Sequence, residues 1–162
     1  MLFRSLWVDA LSREIPPGAT IASLPEAAAP RTLSPESLSY VQLAARVIND
    51  SRNLAIVLGD GAVESGALPL IRELAERRSG VIATSVSARG AVPEDADISM
   101  GPLCWESVPE ILGKADACLA IGTRFSEIST LAWTLKIPQP LIRVDIDPEQ
   151  LQKNYPAEVP IQ

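Results

Sequence analysis

The sequence predicts an α/β fold, a doubly wound parallel sheet flanked by helices. Three observations carry this expectation. Leu54–Leu58 (LAIVL) is a continuous apolar run, the pattern of a strand covered on both faces. Val81–Thr84, Ala117–Ile121 and Leu141–Asp145 read as further strands of the same kind, and helix-period segments stand between them. Strands that alternate with helices pair in parallel through crossover connections.

Each element has its own signal. In residues 2–14, Leu2, Phe3, Leu6, Trp7, Ala10 and Leu11 recur at helical spacing, and Ile15-Pro16-Pro17-Gly18 stops that helix. Ala19–Leu24 reads as a strand. Pro25–Pro35 (PEAAAPRTLSP) is punctuated by proline and has no periodicity, so a linker is expected there. Ser34 then stands as an N-cap with Pro35 at the first helical position, and the helix runs through Leu38, Val41, Ala45 and Ile48. A second helix is expected over Ala67–Arg78, with Leu70, Ile71 and Leu74 inward and Arg72, Glu73, Glu76 and Arg77 outward. Ser85–Leu103 reads as a long Gly/Pro loop. A short helix is expected over Glu106–Lys114, another over Ser129–Leu135, and a helical turn after Pro148.

Composition narrows the function. The chain has 162 residues, enough for one core and a small appendage. Its net charge of −6 disfavours nucleic acid and acidic membrane surfaces as partners, because both select basic proteins. No apolar run approaches the length that crosses a bilayer. There is no histidine, which removes the usual general base and the Ser-His-Asp triad. Cys118 sits in an apolar run and reads as a small buried hydrophobe, while Cys104 lies in a loop. Both suit a reducing cytoplasm.

Ligands of doubly wound sheets bind beyond the carboxyl ends of the strands. Four segments lie there: Gly59-Asp60-Gly61, Thr84 to Gly90, Gly122-Thr123-Arg124-Phe125 and Asp145-Ile146-Asp147. Glycine after a strand permits close approach of a phosphate, Arg124 could pair with a diphosphate, and Asp145 or Asp147 could accept from ribose hydroxyls. Glycines serving tight turns and acids capping helices explain the same residues equally well. Composition and spacing leave the two readings open.

The order of the segments says more. GDGAVESGALPLIRELAE, TSVSARGAVPED, the Met100-Gly101 turn, ADACLAIGTRF and IRVDIDPEQLQKNYPAEVPI together resemble the central domain of thiamine-diphosphate-dependent enzymes, the acetolactate synthase and benzoylformate decarboxylase superfamily. The resemblance implies a Rossmann-like sheet of the DHS-like NAD/FAD-binding type over 37–162. It also implies that residues 1–25 are the last helix and strand of a pyrimidine-binding domain, with 26–36 as the linker. On this reading the chain is a piece of a longer enzyme. The family's catalytic glutamate would lie upstream of Met1, so no catalytic residue is expected in this chain.

Thiamine diphosphate and magnesium are implied for the parent enzyme and not for this chain. The family's metal-binding GDG motif lies in its third domain and needs asparagines about a helix-length downstream. Asn49, Asn53 and Asn154 are the only asparagines here, so Asp60 reads as a lookalike. Some members hold FAD or ADP across the central domain. Carried over by position, the contacts would be Gly59, Gly61, Thr84, Gly90, Gly101, Gly122, Thr123, Arg124, Asp145 and Asp147. The sequence departs from the flavin pattern in three places: Asp60 sets a carboxylate at the diphosphate position, Ser126-Glu127 follow the GTRF segment, and Met100-Gly101-Pro102-Leu103 lacks a His-Gly pair.

The resemblance further implies the pyrimidine and diphosphate domains of the parent as partners, and on the fragment reading a homo-oligomer of this chain is expected. The unpaired edge of strand Ala19–Leu24 and the apolar face of the first helix favour pairing with another chain or repacking on the core, which predicts a homodimer or a reorganised N-terminus. Two other classes compete with the domain reading. One is a free-standing module for FAD, NAD or CoA. The other is an enzyme using carboxylates such as Glu64 or Asp97, which lack a paired acid at useful spacing.

Overall fold

The computed structural model describes residues 33–162. The helix expected over 2–14, the strand Ala19–Leu24 and most of the linker lie outside these residues. Helix α1 spans Pro35–Asp50 and starts as its sequence dictates: Ser34 is extended, its Oγ accepts from the Ser37 N–H at 3.0 Å, and proline occupies the first turn. There follow β1 (Leu54–Leu58), α2 (Asp60–Glu64), α3 (Leu68–Arg77), β2 (Val81–Thr84), β3 (Ser99–Pro102), α4 (Val108–Leu112), β4 (Ala117–Ile121), β5 (Leu141–Val144), a 3-10 turn (Gln150–Gln152) and β6 (Val159–Ile161).

The six strands form one sheet in the order β3-β2-β1-β4-β5-β6, and every neighbouring pair is parallel. The chain builds outward from β1 in one direction through β3, then returns to β4 and builds the other way. The switch point therefore falls between β1 and β4. This is the Rossmann-like α/β fold that the sequence predicts.

Both faces of the sheet are buried, which is why β1 is apolar without alternation. Leu54, Ile56 and Leu58 pack with Ile82, Leu119 and Ile142 under Ala44 of α1 and Ile71 and Ala75 of α3. Ala55 and Val57 pack with Ala83, Cys118, Ala120 and Leu141 under Leu103, Val108, Leu112 and Phe125. Each fully buried Leu or Ile contributes roughly 1.5–3 kcal/mol against about 1 for a typical cap, and many are buried, so sheet burial decides the fold.

The structure corrects several expectations. The segment Ser85–Leu103 is not loop throughout, because Ser99–Pro102 adds β3 at the sheet edge. SMGP carries no apolar run. It pairs with β2 through a register shift between Ile82 and Ala83, and an edge strand tolerates Pro102. Edge strand β6 was likewise unpredicted, and its central Pro160 hides it from pattern reading. Leu70 is 70% exposed, and Ala75 takes the inward position beside Ile71. In α1 the core side is Ala44 with Tyr40, Val47 and Ile48, whereas Leu38, Val41 and Ala45 are exposed.

The helix expected over Ser129–Leu135 does not form. Its place is taken by turns in which Leu131, Ala132 and Trp133 all adopt the left-handed region, with φ of 52°, 54° and 58°. Local side chains outcompete the helix ladder. Thr130 Oγ1 donates to Ser126 O at 2.8 Å, Trp133 Nε1 donates to Phe125 O at 3.1 Å, and Leu135 N donates to Thr130 O at 3.1 Å. Thr130 and Leu135 are buried as a result.

Candidate functional site

All ten residues singled out in the sequence lie at or beyond the carboxyl ends of β1 to β5, on one end of the sheet. At its centre two backbone turns press together. Gly59 N donates to Ile121 O at 2.9 Å and Gly61 N donates to Gly122 O at 3.2 Å. A β-carbon on Gly59 would stand 2.1 Å from Gly122 O, and one on Gly122, whose φ is +56°, would stand 2.5 Å from Ala62 N. These glycines exist because chain meets chain there. Their N–H groups are already bound.

The loops after β2 and β4 meet above β1. Val86 N donates to Ser129 Oγ at 3.3 Å, and Ser126 Oγ donates to Ser129 Oγ at 3.0 Å. Ser87 Oγ donates to Asp60 Oδ2 at 2.9 Å and lies 3.2 Å from Ser85 Oγ. Sequence reasoning missed this hydroxyl network. The four serines of TSVSARG and FSEIS were its only trace. Thr84 is 5% exposed and its Oγ1 has no hydrogen-bond partner. By strand alternation it shares a face with Ile82, beneath the sheet's end. Gly90, with φ +89°, has open space where a β-carbon would sit, so it serves the turn alone.

At the β3 edge Gly101 is a seat for an aromatic ring. Its φ is +76°, and a β-carbon would lie 2.5 Å from the Trp105 ring. The Arg89 guanidinium lies 5.6 Å from the centre of that ring and pairs with Glu94 at 2.5 Å. That pair is solvated, and it holds Glu94 below the usual carboxylate range through the Arg89 hydrogen bond.

After β4, Thr123 is buried and Arg124 exposed. Phe125, at φ 48° and fully buried, anchors the loop. Its ring lies 4.9 Å from Tyr155 and 5.0 Å from the Arg143 guanidinium. Arg143 is the residue that strand pattern reading least expects: a buried cation inside β5. It donates to Thr123 O at 2.8 Å, Tyr155 O at 2.9 Å and Lys153 O at 3.0 Å. Burial draws its guanidinium below the ordinary value, and the charge of Asp145 opposes that shift. Arg143 thus joins the loops after β4 and β5.

The two acids after β5 are spent locally. Asp145 Oδ1 accepts from Asp147 N at 3.0 Å. Asp147 accepts from Gln150 Nε2 at 3.1 Å and Glu149 N at 3.0 Å, and these bonds hold its carboxyl below the usual range, helped by the charges of Arg124 and Lys153. They shape the 3-10 turn. Of the ten candidates, Arg124 presents an exposed charge at this end.

Magnesium and thiamine diphosphate do not fit the Gly59-Asp60-Gly61 turn. Its carboxylate is committed to Ser87 and its amide to Gly122 O, and among the described residues no three His, Cys, Asp or Glu side chains cluster as metal ligands. No helix among the described residues is long and apolar enough to cross a membrane.

Comparison with known proteins sets this geometry in context. A family model described as the central domain of thiamine pyrophosphate enzymes matches residues 41–162, from within α1 to the end of β6. The chain is 32% identical over 120 residues to a probable 2-ketoarginine decarboxylase of Pseudomonas aeruginosa, covering 74% of this chain and 21% of that protein. It is 34% identical over 125 residues to an acetolactate synthase of Mycobacterium bovis, covering 75% and 20%. A sulfoacetaldehyde acetyltransferase of Roseovarius nubinhibens is 31% identical over 127 residues, covering 73% and 21%. The chain spans about a fifth of the length of these curated relatives.

Proposed function

The chain belongs to the thiamine pyrophosphate enzyme family, as its central domain, and we propose that it is the non-catalytic middle of a 2-oxo acid decarboxylase or carboligase. The family match over residues 41–162 carries this reading, because it takes in every strand of the sheet. Thiamine diphosphate supplies a carbanion-stabilising ylid when bound, and in this reading it is held with magnesium by the pyrimidine and diphosphate domains of the parent. The present domain holds those two at a fixed separation and contributes no group to the chemistry. By itself the chain is inactive.

Several features support a positioning role. Arg143, Phe125 and Tyr155 tie the loops after β4 and β5 into one rigid corner. Apart from Arg124 and the Thr84 hydroxyl, the polar groups at the carboxyl end of the sheet serve its own turns. Both cysteines are free, which suits a reducing compartment such as the cytoplasm, and the chain is proposed to be a homo-oligomer. A free-standing module for FAD, NAD or CoA needs open glycine amides, and here those amides are bound to Ile121 and Gly122 carbonyls.

The test is a chimera in which residues 33–162 replace the matched segment of the Pseudomonas aeruginosa relative. Retention of thiamine-diphosphate-dependent decarboxylation within about tenfold supports the positioning role. A folded chimera of the parent's oligomeric state that binds the cofactor but has lost decarboxylation overturns it.

A further inference from the structure

We propose that in this chain the nucleotide crevice of the central domain is closed by a polar clasp, so that neither FAD nor ADP binds there. The inference rests on the central-domain reading, since that family supplies the expectation of a nucleotide, and it concerns what this chain's own residues have done with the space.

The switch point lies between β1 and β4, so a ligand there must sit over the carboxyl ends of these two strands. That position is bridged. Val86, two residues past β2, donates its N–H to Ser129 Oγ of the loop past β4. Ser129 is buried, and its own N–H and hydroxyl are engaged by Ser126. From the β1 side, Asp60 accepts from Ser87 of the same loop that carries Val86. Ser85 Oγ is held in turn by the Ala88 N–H at 3.2 Å, and Ser85 N donates to Leu58 O at 2.7 Å. The start of α2 and the loops after β2 and β4 are thus joined by hydrogen bonds across the end of β1.

A diphosphate meets three obstacles at this place. The Gly59 and Gly61 amides that would face it are bonded to the carbonyls of Ile121 and Gly122. The side chain at the tip of the turn, Asp60, carries charge of the ligand's own sign. Opening the clasp would take the Val86 N–H and the Ser87 hydroxyl from the oxygens that accept them, and leave Ser129, a buried hydroxyl, with Ser126 alone. Thr84 Oγ1 is the one unpaired buried polar atom among the ten candidates, and a single hydroxyl does not hold a dinucleotide.

Two measurements on the full chain test the clasp. The first is titration with FAD, followed by flavin fluorescence, and with ADP, followed by heat, each to millimolar concentration. The expected result is no saturable signal from either. The second is amide hydrogen exchange at Val86 in the unaltered chain and in Ser129→Ala. The expected result is a protected amide whose exchange speeds at least about tenfold in the variant. Saturable binding of either nucleotide by the unaltered chain overturns the proposal, as does an unprotected Val86 amide. Equal Val86 rates in a folded Ser129→Ala also overturn it; if that variant does not fold, Ser87→Ala, which frees the same loop from Asp60, is read at the Val86 amide with the same expected and overturning results. Nucleotide binding would leave the central-domain reading standing. That reading fails separately, in the chimera.

Discussion

Gly61 and Gly122 pack backbone against backbone: the Gly61 N–H donates to Gly122 O at 3.2 Å, and a β-carbon on Gly122 would lie 2.6 Å from Gly61 Cα. This contact joins the turn after β1 to the turn after β4. It fixes the switch point of the sheet through backbone contact.

Gly122→Ala adds a left-handed penalty of about 1–2 kcal/mol to a backbone overlap that no rotamer relieves, so destabilisation of at least about 3 kcal/mol is expected. Gly90→Ala has a similar φ but open space around it, and about 1 kcal/mol is expected there. Urea unfolding midpoints of the two variants check the difference. Equal losses would mean that φ, and not contact, explains Gly122.

Arg143→Met keeps an aliphatic stem and removes three hydrogen bonds to backbone carbonyls, one of them buried, along with the ring contact to Phe125. Leaving Lys153 O, Tyr155 O and Thr123 O without a donor predicts a loss of about 3–5 kcal/mol. Equilibrium denaturation measures it. A loss under about 1 kcal/mol would show that water takes over the carbonyls.

Ala132 is exposed and left-handed, so glycine relieves strain there without removing a buried contact. Relief of about 1–2 kcal/mol, less about 0.4–1 kcal/mol for the freer unfolded chain, predicts a net gain near 0.5–1 kcal/mol for Ala132→Gly. Thermal melting should show a rise of a few degrees. A fall in melting temperature would contradict the left-handed run at Leu131–Trp133.

Asp116 accepts from the Arg52 and Asn53 amides, at 2.9 Å and 3.0 Å, and so pins the amino ends of β1 and β4 together. These bonds hold its carboxyl below the ordinary 3.8. A group whose folded pKa is depressed stabilises above its unfolded pKa and loses that contribution as pH falls through the folded one. The unaltered chain should therefore weaken as pH drops below about 4. Asp116→Asn should be weaker at pH 7 and show a shallower acid limb. Unfolding midpoints at pH 7 and pH 3 decide the matter.

Burial pushes the Cys118 thiol up to about 12, whereas Cys104 is half-buried in a surface loop. A thiol-reactive dye at pH 8 should label one cysteine in the native chain and two after denaturation. Rapid native labelling at Cys118 would mean that β4 opens locally.

The four central strands were legible because continuous apolar runs buried on both faces leave little choice of conformation, and Ser34-Pro35 marked the start of α1 to the residue. Strands β3 and β6 were not legible. SMGP and VPI carry glycine and proline, and they become strands only because an edge beside them offers unpaired carbonyls and amides. The Ser129–Leu135 segment has helical composition, and Thr130 and Trp133 bond the preceding turn instead.

The sequence by itself determined the fold class and the family, since both follow from the order and spacing of short motifs along one chain. It also named the glycines that matter. Only the tertiary structure decided what they do, because a glycine's amide is free or engaged according to which other strand's turn lies against it. Gly59 and Gly61 are 63 and 61 residues from Gly122 in sequence, yet in space their amides meet carbonyls of the β4 turn. That closeness is a property of the sheet order, and no local pattern records it.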